Sequence, residues 1–245
     1  MLDSTTTTKK ASHRNLFEKY FNEVLNPQAP KQIETGPYIS ISRDFGCMAN
    51  SIAQKLSVEL SKYNYNRGTQ KPWTWLNNSI LLASAKTLEI SPSKIEYVFQ
   101  SQKKTMMDEI VGAMSAKYYK SDRKIRKTIT DVIRSIAKSG NVIMVGRGGV
   151  AFAKDNPQSI HVKLTAPIEW RVEHISKNYN KTKSEALRYI LEVDQERKYL
   201  IDSFMGYDTD LSIFDIMFNR KSMSEEEIIT IILNLAEARK LITKK

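Results

Sequence analysis

The chain has little of what marks a secreted, membrane-spanning or metal-bound protein. It has one cysteine, Cys47, in 245 residues, which excludes an internal disulfide and fits a reducing cytoplasm. No apolar run approaches the ~18–20 residues of a membrane span. The stretch MLDSTTTTKKASHRN at the start holds no apolar core of the kind a signal peptide needs. The three histidines, His13, His161 and His174, are widely separated and show no metal-ligand spacing. There is no internal repeat and no long flexible linker. The expectation is a cytoplasmic protein with no membrane contact.

What is present is an ordinary globular composition, 41% hydrophobic and 27% charged, with an excess of basic residues. Lys and Arg number 38 against 27 Asp and Glu, a formal charge of +11. Such a balance suits polyanionic ligands: nucleotides, nucleic acid or an anionic surface.

Along the chain, residues 1–35 read as an arm. A threonine- and lysine-rich start is followed by a helical stripe of Leu16, Phe17, Tyr20, Phe21, Val24 and Leu25, stopped by Asn26-Pro27. That helix packs on its own domain in the first reading and forms a homodimer in the second. Residues 36–245 read as one α/β domain. Ile39 and Ile41 mark a strand, Asn141 to Val145 a strand buried on both faces, Ile160 to Leu164 a third, and Leu211 to Phe218 a last one. Trp75, Leu76, Ile80, Leu81 and Leu82 lead into a helix, and capping boxes are expected at Ser93–Glu96, Thr182–Glu185 and Ser222–Glu225. Strands alternating with helices assemble naturally into a parallel sheet wrapped by helices. The basic run from Lys117 to Lys127, with Tyr118 and Tyr119 inside it, superficially resembles a nucleic-acid surface. The apolar spacing of Ile125, Ile129, Val132, Ile133 and Ile136 continues through it, which favours the solvated face of a helix.

The stretch Tyr38–Leu60, YISISRDFGCMANSIAQKLSVEL, is a strand, a glycine turn and a helix with Ile52, Leu56 and Leu60 on one face. Backbone N–H groups and the positive helix end converge in such a turn, so it is a place for phosphate. The full phosphate-loop signature G-x-x-x-x-G-K-[ST] is not there. A second turn, Gly146-Arg147-Gly148-Gly149, follows the most apolar strand. Ligands of open parallel sheets bind beyond the carboxyl ends of the strands, and Arg43 and Arg147 would share that rim if their strands are neighbours. Guanidinium forks suit phosphate oxygens. Arg188, Arg197 and Lys198, on the long helix after Thr182, could close over the rim as a lid. Cys47 fills a serine-sized place rather than acting as a reactive thiol. Asp215 could contact a base or ribose, or cap a helix; its residue type leaves both open.

ISISRDFGCMANSIAQKL resembles the opening S-R-x-F-G turn of the cytidylate-kinase-like family, a branch of the P-loop nucleoside monophosphate kinases. VIMVGRGGVAFAKDNPQSIHVKLTAPIEWRVEHI resembles its V-I-V-G-R-G strand and turn and its A-P-x-E-x-R helix. YDTDLSIFDIMFNRKSMSEEEIITIIL resembles its closing segment. The resemblance runs in order from about Pro37 to Leu233.

The resemblance implies a three-layer P-loop fold: a parallel five-stranded sheet, helices on both faces and a helical lid. It implies a nucleotide held at Arg43, Gly46, Cys47, Asn50 and Ser51, an acceptor phosphate at Arg147 with Asp215 toward the acceptor, and Arg147 and Arg197 as catalytic residues. The implied reaction moves the γ-phosphoryl of ATP, with Mg²⁺, to a nucleoside monophosphate or another small acceptor; Ser51 and Asp44 are this chain's own candidates for holding the ion. The chain departs from the pattern in several places. Ala49 stands where a phosphate-loop lysine would, Asn50 where the Mg²⁺-holding hydroxyl would, and Met48 where glycine would. Gly148 stands where cytidylate kinases carry an acid, and Asp202-Ser203-Phe204 replaces aromatic and basic residues of the lid. Two alternatives follow: a nucleotide-binding sensor or scaffold without turnover, and a nucleic-acid-binding protein using residues 117–127.

Overall fold

The computed structural model describes residues 36–63, 72–77, most of 130–137 and 140–243. The N-terminal stripe, the Ser93–Glu96 box and the basic run at 117–127 lie outside the described residues.

Five parallel strands form one sheet in the order β2-β3-β1-β4-β5. They are β1 (Tyr38–Arg43), β2 (Thr74–Leu76), β3 (Val142–Val145), β4 (Ser159–Thr165) and β5 (Ile216–Asn219). The helices described over their whole length are α1 (Ala49–Leu60), a one-turn α2 (Gly149–Phe152), α3 (Ile168–Tyr179), α4 (Lys183–Met205) and α5 (Glu225–Ala238). This is a parallel α/β architecture, with helices on both faces of the sheet. β1 is central, pairing with β3 on one side and β4 on the other. Its Ile39 and Ile41 are fully buried, and so is Ser40 on the opposite face, because both faces of the strand are covered. Ser40 Oγ is 2.8 Å from His161 Nδ1, and His161 Nε2 is 3.0 Å from Ser159 Oγ. Burial holds the His161 pKa down, so the ring sits as a neutral hydrogen-bonding spacer.

α1 buries Ile52, Leu56 and Leu60, the face its spacing predicts, against β1 and β3. α4 starts at the predicted Thr182–Glu185 capping box, both of whose bonds form. α3 and α4 pack together as a helical hairpin beside the rim of the sheet, around buried Ile175, Ala186 and Ile190.

The structure corrects three local expectations. Trp75 and Leu76, read as the start of a helical run, lie in the strand Thr74–Leu76, which pairs with β3, and Ile80, Leu81 and Leu82 lie outside the described residues; Thr74 and Trp75 are only partly buried. Leu211–Ile213 is a 3₁₀ turn, and the strand occupies only Ile216–Asn219. The box that starts α5 is Ser224–Glu227, two residues beyond the predicted one. A box at Ser222 would need its backbone N–H to reach the Glu225 carboxylate, but that N–H is taken by Asn219 O and the carboxylate is held by Ser51 and Lys55.

Candidate functional site

β1 and β3 end side by side, and Gly146 N donates to Ile41 O at 3.0 Å, which carries the pairing one residue past β3. Gly146, Arg147 and Gly148 then adopt left-handed backbone in succession, with φ of 70°, 57° and 64°. Glycine is needed at two of these positions for space as well as conformation. A β-carbon on Gly146 would lie 1.6 Å from Arg43 Nη1, so the Arg43 guanidinium lies directly against the Gly146 backbone. A β-carbon on Gly148 would lie 2.5 Å from the Phe204 ring, which reaches over from α4 and also packs on Phe152 at 4.7 Å. The place left open by an acid missing at Gly148 is therefore taken by the Phe204 ring.

From the same α4, Arg197 Nη1 donates to Arg43 O at 3.1 Å, and the guanidinium stands 5.3 Å over the Phe45 ring. Arg43, Arg147 and Arg197 thus line one cavity of about 270 Å³ at the carboxyl rim. Two lysines at its edge are paired: Lys163 Nζ with Asp44 Oδ1 at 2.6 Å, and Lys198 with Asp202 and Asp208. Arg43 has no carboxylate partner among the described residues. Burial, then the charges of Arg197 and Arg147, push its pKa down to about 9. Burial also lowers the Arg197 pKa, against the pull of Asp194 and Asp44. Clustered cations in a partly buried space are stabilised by an arriving anion.

The turn after β1 is built tightly. Phe45 N donates to Asp194 Oδ1 at 2.6 Å, and Arg171 Nη1 bonds Asp194 Oδ2 at 2.5 Å. Cys47 is fully buried, and burial first, then Asp44, push its thiol up to about 11, which suppresses the thiolate that a helix N-terminus would otherwise favour. Met48 takes the left-handed conformation, φ 49°, at the N-cap of α1. Ala49, in the lysine's place, is buried in the core. Asn50 and Ser51 sit exposed on the first turn of α1, and Ser51 Oγ donates to Glu225 Oε2 at 2.7 Å.

The structure thus brings Arg43, Asp44, Arg147 and Arg197 to one cavity, with Gly46 and Cys47 in the adjoining turn; Asn50 and Ser51 do not line it. Asp215 also lies outside the cavity, beside His161. It accepts from His161 N at 2.6 Å and from Arg239 Nη2 at 2.7 Å, tying β4 and β5 to the C-terminal end of α5. A protein-held Mg²⁺ does not fit the residues named for it. Both Asp44 oxygens are engaged, by Lys163 and by the Thr165 hydroxyl at 2.6 Å, and Ser51 is turned to Glu225. Among the described residues no three His, Cys, Asp or Glu side chains gather as a metal site. Sequence reasoning missed Arg171, Asp194 and Phe204 as parts of the site. The arginine of the A-P-x-E-x-R match is Arg171 itself, and that signal could have found it.

A model of the cytidylate kinase-like family matches residues 38–222, from the first strand to the turn before α5. The chain belongs to that family. This cytidylate kinase-like chain is 29% identical over 120 residues to a cytidylate kinase of Methanocaldococcus jannaschii, covering 48% of this chain and 67% of that protein. It is 24% identical over 168 residues to a cytidylate kinase of Sulfolobus acidocaldarius, covering 67% and 90%. Other cytidylate kinase matches span as little as 50% of the relative's length. In three dimensions, an uncharacterized protein from Eubacterium ventriosum aligns with a TM-score of 0.56 at 17% identity, over 82% of this chain and 98% of that one, a likeness of fold. No helix among the described residues is long and apolar enough to cross a membrane.

Proposed function

We propose that the chain is a phosphotransferase that binds ATP and moves its γ-phosphoryl to a nucleoside monophosphate or another small phosphorylated acceptor. The observation that carries this reading is the meeting of Arg43, Arg147 and Arg197 at one cavity, with Arg43 lacking any carboxylate partner among the described residues. Phosphoryl transfer needs positioning and neutralisation of charge spread over the transferring oxygens, with little covalent work by the protein. Arg43 and the adjoining Gly46–Cys47 turn bind the donor phosphates. Arg147 holds the acceptor phosphate, and Arg197 neutralises charge on the group in transit. Mg²⁺ belongs to this reading as the ion that ATP carries on its own phosphates. The site works in the cytoplasm on soluble nucleotides.

A coupled assay of ADP release over a panel of nucleoside monophosphates, CMP first, tests the proposal. Turnover with at least one acceptor, lowered roughly 100-fold or more in Arg147→Ala, supports it. A folded protein with no turnover across the panel removes it.

A second reading, a nucleotide-binding sensor or scaffold, is favoured by the core-facing Ala49 and by Ser51 turned to Glu225. Thermal stabilisation by ATP without turnover would select it.

A further inference from the structure

We propose that Arg171 and Asp194 are positioning residues that bolt the phosphate turn to the α3–α4 hairpin and so hold Arg197 at the cavity before any ligand arrives. This inference rests on the phosphotransfer reading.

The geometry is a clamp on one residue. Asp194 Oδ1 accepts from Phe45 N at 2.6 Å, and Arg171 Nη1 donates to Phe45 O at 3.4 Å. Between them Arg171 Nη1 and Asp194 Oδ2 are 2.5 Å apart, and Arg171 Nε is anchored on Ala166 O at 3.1 Å. Both backbone polar groups of Phe45 are thus held by one ion pair whose arginine is only 8% exposed. The planar guanidinium fork serves three acceptors at once, which an ammonium group on a flexible stem does not match.

The side chain of Phe45 adds a second fastening. Its ring lies edge-on to Tyr189 at 5.0 Å and tilted to Tyr179 at 6.0 Å, and it packs on the hairpin's apolar cluster. Asp194 and Arg197 are three residues apart on α4 and therefore share a face. The carboxylate grips the amide of Phe45, while the guanidinium reaches Arg43 O and stands over the Phe45 ring. Residues 43–45 cannot shift relative to Arg197 without breaking these bonds together. A hairpin fastened in this way presents Arg197 to the cavity as a preset arm. Fixed cations at the transferring group need no reorganisation during reaction, and displacement by about 1 Å lowers rates roughly 100-fold.

A pair this buried could also serve folding alone, so the test separates the two roles. Asp194→Asn keeps shape and an acceptor for Phe45 N but removes the charge; Arg171→Lys keeps the charge but removes the fork. With ATP and an acceptor that turns over, kcat per folded molecule is expected to fall roughly 10- to 100-fold in each, with acceptor KM within about threefold. The double variant should be no slower than the slower single, because the two residues act as one unit. Amide exchange at Phe45 should quicken at least about tenfold in both, with Ile39 and Ile41 unchanged. Variants that keep kcat within about twofold of the parent, or whose losses multiply in the double, would overturn the proposal. If the parent turns over no nucleotide, the phosphotransfer reading fails by itself. Phe45 exchange still decides on the clamp: faster in the variants supports it, unchanged rejects it.

Discussion

Gly146 and Arg43 occupy one space: a β-carbon on the glycine would fall 1.6 Å from a guanidinium nitrogen of the arginine. The end of β3 is kept bare so that the side chain at the end of β1 can cross it. Gly146→Ala should therefore act as a charge-neutral eviction of Arg43. It should weaken nucleotide binding about as much as Arg43→Ala does, roughly tenfold or more. The left-handed backbone at φ 70° adds a stability loss of about 1–2 kcal/mol. Titrations of both variants check this; an alanine variant with parental affinity would mean Arg43 is not needed where it lies.

Gly148 and Phe204 form a second coupled pair. Gly148→Asp would set a β-carbon 2.5 Å from the Phe204 ring, and overpacking of this kind costs about 1–3 kcal/mol. The accompanying change Phe204→Ala should relieve most of the clash. A thermal-melt cycle of the two singles and the double should show coupling of at least about 1 kcal/mol; simple additivity would contradict the contact.

Cys47 is predicted to be inert. Its burial and a thiol pushed up to about 11 leave almost no thiolate at neutral pH. Iodoacetamide at pH 8 should leave the folded protein unmodified and label it in urea. Rapid labelling of the folded chain would refute the packing described.

Asp215 gives a pH-dependent stability effect. Burial alone would raise its pKa, but the bonds from Arg239 and His161 outweigh it, and the net pKa is lowered. A carboxylate lowered on folding contributes stability that is present above its unfolded value, near 3.9, and is lost as pH falls through the folded value. Asp215→Asn should cost about 1 kcal/mol at pH 7, and the difference from the parent should shrink below about pH 4. Urea melts at both pH values measure it.

Much of the architecture was legible because its signals are local. The run Val142–Val145 is buried on both faces as its unbroken apolarity implies, and Thr182–Glu185 caps α4 as its spacing requires. The three-residue β2 was not legible: a strand that short has no periodicity, and its apolar residues merge with those that follow. Two overlapping S-x-x-E patterns precede α5, and only the turn made by Asn219 decides between them. At the site, Arg43 and Arg147 could be paired from sequence because both follow strands in glycine turns. Arg171 and Asp194 could not, since they meet only once the α3–α4 hairpin has folded. Nor does the pattern reveal that Phe204 covers Gly148, a contact across 56 residues of chain set by how α4 lies on the turn.

The claim that binds these observations is that the arginine-lined cavity is a nucleotide phosphate site with Arg43 supplying charge that the turn lacks. Equilibrium titration of ATP into the parent chain and into Arg43→Ala, at low and moderate salt, tests it most directly. The account predicts saturable binding by the parent, weakening with salt, and an affinity at least about tenfold lower in the variant. Equal affinity in the two proteins, or no binding by the folded parent, would contradict it.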